Sequence, residues 1–317
     1  MGILSGIGRW LGAAAPPDEA LRSAIGQAVA TVEPLLKTVS GWERKLAPAV
    51  ARALDHCAAL AAAIPGPIEI SPRAFGADPL VHALFAAPGD IGEMLGKSRE
   101  LREFIADPAQ CRGDEFFALL GMRRREKAVT GMALRGEVLQ NDVPHRLLYF
   151  ADHTLGQLGG DHDTTRRRLR AACFDGLARG FAARVAELRE ERQDARTAWS
   201  IEQASAAAGR SERRQGLEER QRQAIASLTP ENLLNAFANW LAAPEARLYL
   251  KPNEVTVDRM GVIATDPAAG GNFSTLSLPE LVARDRRHWI VLVARFSRED
   301  AREALMRQQQ ANRYLII

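Results

Sequence analysis

A chain of 317 residues, 46% apolar and 26% charged, is long enough to bury a substantial core and too apolar to be disordered throughout. Its 42 basic and 39 acidic residues leave a net charge of +3, too small by itself to argue for a nucleic-acid partner. No apolar run reaches the length of a membrane-spanning helix, and Cys57, Cys111 and Cys173 form neither a CxxC pair nor a disulfide framework, as expected for free thiols in a reducing cytoplasm.

Only Lys37, Lys45, Lys97, Lys127 and Lys251 are lysine, and the other 37 basic residues are arginine. With abundant alanine, this bias fits the codon usage of a GC-rich bacterial genome better than a phosphate-binding role. At the start, Ile3, Leu4, Ile7, Trp10 and Leu11 would share one helical face. That face gives residues 3–11 a weak capacity for peripheral membrane contact, although the interspersed glycines favour docking on the protein itself.

Leu21, Ile25, Val29, Val32, Leu36 and Val39 form one apolar stripe, interrupted at Pro34. Trp42 to Ile64 carries a second, which ends at Pro65-Gly66-Pro67. Asp78-Pro79 and Asp90 open two shorter helices. Glycines then break the pattern, and 116–122, 128–134 and 146–155 read as strands with turns at 124–126 and 140–142; a single helix over 114–140 is the competing reading. Residues 163–228 return to helix, with an apolar face that fades after Leu188 and a joint at 205–216. Thr229-Pro230-Glu231 starts another helix, followed by short strands at 248–250, 255–257 and 261–264. The apolar run 289–296 reads as a central strand, Ser297 with Asp300 opens a last helix, and 314–317 reads as a docked edge strand.

The expected fold class is therefore α+β, dominated by helix. Its parts are a helical bundle over 1–110, a mixed strand region with a long polar helix over 111–228, and a small α/β module over 229–317.

Candidate chemistry concentrates between 142 and 163. His145, His153, His162 and Asp163 are ligand types that zinc, manganese or iron accept. The His162-Asp163 doublet resembles that of HD-type metal phosphohydrolases. The resemblance covers two residues and implies an upstream histidine, His145 or His153, and a distant aspartate such as Asp194 on a facing helix. The plainer reading is a loop, Gly159 to Asp163, whose Asp163 caps the next helix. Arg123, Arg124 and Arg125, and again Arg166, Arg167 and Arg168, could neutralise phosphates, but no aromatic-interleaved strand accompanies them and solvated charge is the plainer account. No GxxxxGK[ST] loop or GxSxG elbow occurs, and no cofactor is indicated. His56 and Cys57 are helical neighbours that do not face each other, and His288, at the entry to a strand, reads as structural.

Three functions follow in order of preference. The first is a non-enzymatic cytoplasmic protein acting through protein contacts or self-association, because the polar helix over 185–228 needs a partner or solvent on every side. The second is a metal-dependent phosphohydrolase at His145, His153, His162 and Asp163. The third is nucleic-acid binding through the two arginine runs.

Overall fold

The computed structural model describes residues 19–135, 138–204, 211–264, 273–284 and 288–314. The segment 3–11, the first half of the expected joint, Gly270-Gly271 and the terminal 315–317 lie outside these residues. The fold is α+β with helix in excess. No helix among the described residues is long and apolar enough to cross a membrane.

By compactness the chain divides into two units, 1–58 with 173–248 and 59–172 with 249–317. Neither is a continuous segment. The reason is strand pairing: β2 (Glu115–Arg135) bonds to β8 (His288–Ser297), so the middle and the end of the chain share a sheet.

The first unit is helical. Helix α1 (Glu19–Val32) stops before a 3-10 turn at Pro34–Thr38, as the proline requires, and α2 (Trp42–Ala63) begins after Gly41 takes φ +69°. Leu21, Ile25, Val29 and Val32 are all buried, as their three- and four-residue spacing predicts. The long helix α7 (His162–Ala204) and α9 (Pro230–Ala242) meet in an aromatic cluster. Phe181 stacks on Phe237 at 5.0 Å, and the Trp240 indole N–H donates to the Leu177 carbonyl at 3.1 Å. Between them in sequence, α8 (Ser211–Ser227) is polar, and Gly216, expected in a joint, lies inside it.

The second unit is built on a sheet. Among the described residues, its strand order is β3–β2–β8–β7–β4, with β3 at Val138–Gly159, β7 at Glu280–Val282 and β4 at Tyr249–Lys251; β1 (Ile68–Glu69) adds a parallel pairing to β8. A separate hairpin joins β5 (Glu254–Asp258) to β6 (Phe273–Ser277). The run at 289–296 is central, and five successive residues, Ile290 to Ala294, are buried because both faces are covered. On one face Phe116, Leu120, Met122, Ile290, Leu292 and Phe296 pack under α5 (Pro88–Lys97), α6 (Arg99–Ala106) and α10 (Arg298–Tyr314). Gly96 permits this packing, since a Cβ there would stand 2.7 Å from the Ala304 carbonyl oxygen. On the other face Val291 and Val293 meet Ala61, Ile64 and Leu169.

Two expectations change here. The turns placed at 124–126 and 140–142 are strand interior, because β2 and β3 form one long antiparallel ribbon. Beyond Met122 that ribbon leaves β8, and among the described residues no other strand pairs with β2 there, so polar residues are tolerated where a fully covered strand would exclude them. The segment 261–264 makes only isolated bridges, Leu147 to Val262 and Val257 to Ile263.

Candidate functional site

The three histidines expected as metal ligands each face a different partner. His145 Nε2 faces the Met132 carbonyl at 3.3 Å, out on the ribbon. His153 Nε2 faces the Leu84 carbonyl at 2.8 Å, its ring stacked on Phe85 at 4.8 Å. Burial makes that imidazole harder to protonate than usual, against a smaller opposing effect of the Leu84 bond. His162 Nε2 accepts from Arg166 Nε at 3.0 Å, which occupies the lone pair a metal would need. Asp194 lies on the same helix as His162, not on a facing one. Among the described residues no group of three or more His, Cys, Asp or Glu side chains is placed to hold a metal. The capping role assigned to Asp163 belongs instead to Asp161, which accepts from the Thr164 backbone N–H and hydroxyl, both at 2.7 Å. Those two bonds hold the Asp161 carboxyl below the ordinary range.

The arginine runs are also largely engaged. Arg166 donates to the carbonyls of Ala61, Ile64 (2.8 Å) and Gly66 (3.4 Å), and so caps the end of α2, where helix carbonyls lack intrahelical partners. Arg168 donates to the Leu158 carbonyl and to Gln110 Oε1 at 2.7 Å, and Arg167 reaches the Thr164 hydroxyl at 2.7 Å. Strand alternation sends Arg123 and Arg124 to opposite faces. Arg123 lies over the Trp289 ring at 5.0 Å and 3.5 Å from Asp152, while Arg124 bonds to Asn253 and Glu126. Arg125 is exposed on the ribbon opposite Tyr149. Five of the six side chains thus have partners of their own, and these differ from one arginine to the next.

Two cavities of the second unit differ in the chemistry left open. The larger, about 660 Å³, lies between α3–α4 (Pro72–Ala77, Pro79–Leu84), the 147–150 stretch of β3 and the turn after β5. Three of its polar side chains already have local work. Asp78 caps α4 at the Leu80 N–H, Asp258 accepts from Met260 and Val262, and both His82 ring nitrogens face carbonyls, those of Phe75 and Arg259.

The smaller cleft, about 340 Å³, is lined by Arg124, Glu126, Glu280, His288 and Ile290. Its residues share a face because Met122 pairs with Ile290 and Glu280 pairs with Ile290 on the other side, so positions two apart along each strand follow. Here His288 Nδ1 lies 2.9 Å from Glu280 Oε2. A carboxylate only accepts, so Nδ1 carries the hydrogen, and Nε2 has no hydrogen bond among the described residues. Glu280 Oε1 accepts from Asn253 Nδ2 at 2.8 Å, and Asn253 Oδ1 accepts from Arg124 Nη1 at 3.0 Å. Arg124 Nη2 meets Glu126 Oε1 at 2.7 Å, and the other Glu126 oxygen accepts from Arg146. His288, read from sequence as structural, thus stands at the end of a polar chain. Nothing local marks it, since its partner lies eight positions back across a hairpin.

In the first unit, the buried face of α7 runs through Cys173, Phe174, Leu177, Ala178 and Phe181 to Val185. From 186 to 203 only Glu202 is buried, and no described side chain of α8 is. Ile201 and Ile225 are 62% and 51% exposed. No family model matches the chain, and no curated protein or solved structure shows significant similarity to it.

Proposed function

We propose that this chain is a non-enzymatic protein acting through protein–protein contacts, and that a second copy of itself covers the helical stretch 185–228. The observation that carries this reading is the end of apolar burial on α7 at Val185, followed by the exposed Ile201 and Ile225 on otherwise polar helices. A helix polar nearly all round draws little stability from its own chain and is favoured when a partner adds contacts. Glutamate and arginine are interspersed through 187–192 and 218–222, so an antiparallel second copy can set unlike charges opposite each other. Such surface pairs are individually weak and chiefly fix register. A cytoplasmic setting fits three cysteines that form no disulfide among the described residues.

Light scattering on a sizing column tests the proposal. A dimer or larger species is expected, and Ile201→Glu with Ile225→Glu shifts it toward monomer while the circular dichroism of the compact unit persists. A monomer across the micromolar range, or a dimer indifferent to both substitutions, overturns it.

A further inference from the structure

The outer half of the β2–β3 ribbon has a backbone edge that no described strand covers. From Phe117 to Gly121, β2 bonds to β3 on one side and to β8 on the other. The β8 ladder ends at the Met122–Ile290 pair, while β2 goes on pairing with β3 alone. Trp289 still lies beside Arg123, and His288 lines a cleft with Arg124, so the open stretch begins at Arg125. It runs to Gly131, because the next carbonyl, that of Met132, faces His145 Nε2. Across Arg125–Gly131 alternate residues direct an N–H and a C=O away from β3. Among the described residues these groups have no backbone partner beyond β3. Glu126 is exposed as a residue although its side chain is only 24% exposed, so its main chain faces solvent. An open edge of this length can accept an added strand of ordinary size, about five or six residues.

The side chains along the edge select which strand it accepts. Arg125 and Lys127 stand two positions apart and therefore share a face, opposite Tyr149 and Leu147 of β3. Both are exposed, and neither makes an ion pair or hydrogen bond among the described residues. The one acid of the stretch, Glu126, points to the other face, and its two oxygens already accept from Arg124 and Arg146. The charge left unanswered is thus positive and confined to one face. Charges on an edge strand discourage unwanted pairing. The β2 edge of a second copy would bring the same two cations against these and is repelled, whereas carboxylates at alternate positions of an incoming strand are attracted.

We infer that the edge Arg125–Gly131 takes up an extended acidic segment of another protein as an added strand. The segment's backbone bonds to β2, and two of its carboxylates, two residues apart, lie beside Arg125 and Lys127. Main-chain bonds supply affinity in such pairing, and the alternate side chains supply the preference for acid. The surface belongs to the second unit and does not depend on self-association through 185–228.

The test is fluorescence anisotropy of labelled peptides, about seven residues long, titrated with the full chain. One alternates glutamate with valine, one alternates lysine with valine, and one is the glutamate peptide with every backbone amide N-methylated, which removes the donors and leaves the charge. The glutamate peptide is expected to bind saturably, and the other two roughly tenfold more weakly or not at all. Arg125→Glu with Lys127→Glu is expected to reverse the preference, so that the lysine peptide binds and the glutamate peptide does not. Amide hydrogen exchange on the unaltered chain locates the contact, with exchange within 125–131 slowed by the glutamate peptide. No saturable binding, equal binding of the N-methylated peptide, an unreversed preference in a folded double variant, or slowed exchange only elsewhere overturns the inference. So does equal affinity for a single-stranded oligonucleotide, which would mark plain charge attraction. Should the double variant lose the fold, the N-methylated peptide and the exchange map, both read on the unaltered chain, decide.

Discussion

Arg166 Nη1 donates to the Ile64 carbonyl oxygen at 2.8 Å, joining the first turns of α7 to the last turn of α2. The first arginine of a basic run is thus a helix cap, and burial lowers its pKa from the ordinary guanidinium value. Arg166→Gln is expected to lower the unfolding free energy by about 1–3 kcal/mol, since it leaves carbonyls at the end of α2 short of a charged donor. Arg167→Gln, which loses an exposed contact to the Thr164 hydroxyl and a weak charge effect on Asp161, is expected to change it by less than about 0.5 kcal/mol. Urea denaturation of the two variants checks this, and equal effects would contradict the capping role.

Burial of His153 makes stability depend on acidity. The folded imidazole has a pKa below the ordinary 6.5, chiefly through desolvation. Below that value the unfolded chain takes up a proton more readily than the folded one, so unfolding gains from acid. The contribution is complete above pH 6.5 and is lost as the pH falls toward the folded-state value. His153→Gln keeps an N–H donor for Leu84 without titrating. Thermal midpoints measured from about pH 7.5 to about pH 5 are expected to fall less steeply in the variant. Identical slopes would remove His153 from the account.

The three thiols should separate by access. Cys57 and Cys173 are buried, and burial pushes the Cys173 thiol up to about 11, so its thiolate is scarce at neutral pH. Cys111 is half-buried. A thiol reagent at about pH 8 is expected to modify one cysteine of the native chain quickly and the others only on unfolding, and Cys111→Ser removes the fast phase. Rapid loss of two or three thiols would show that the buried pair opens readily.

How much of this was legible in the residues varies by element. The stripe from Leu21 to Val32, the break at Pro34, the cap at Asp78 and the Ser297–Asp300 helix start are all where spacing and capping chemistry put them. The strand run 289–296 was readable because burial on both faces leaves an unbroken apolar string. The β2–β3 ribbon is legible only as fragments, because polar residues such as Arg124-Arg125-Glu126 look like a turn when no neighbour is known. Strand β7 has only three residues and no sequence signal of its own.

The sequence by itself determined the elements whose cause is local: helical periodicity, proline breaks and side-chain caps act within a few residues of one another. It also determined the class, helix-rich α+β, and the fading of the apolar face along α7. Only the tertiary structure decided partners. His162 proved to be the acceptor for Arg166, Asp161 the cap in place of Asp163, and His288 the partner of Glu280. Each pairing depends on strand register or on where a helix ends, and these are set by burial summed over the whole sheet. Residue type limits what a side chain can do, and the packing of distant segments selects which of those options it takes up.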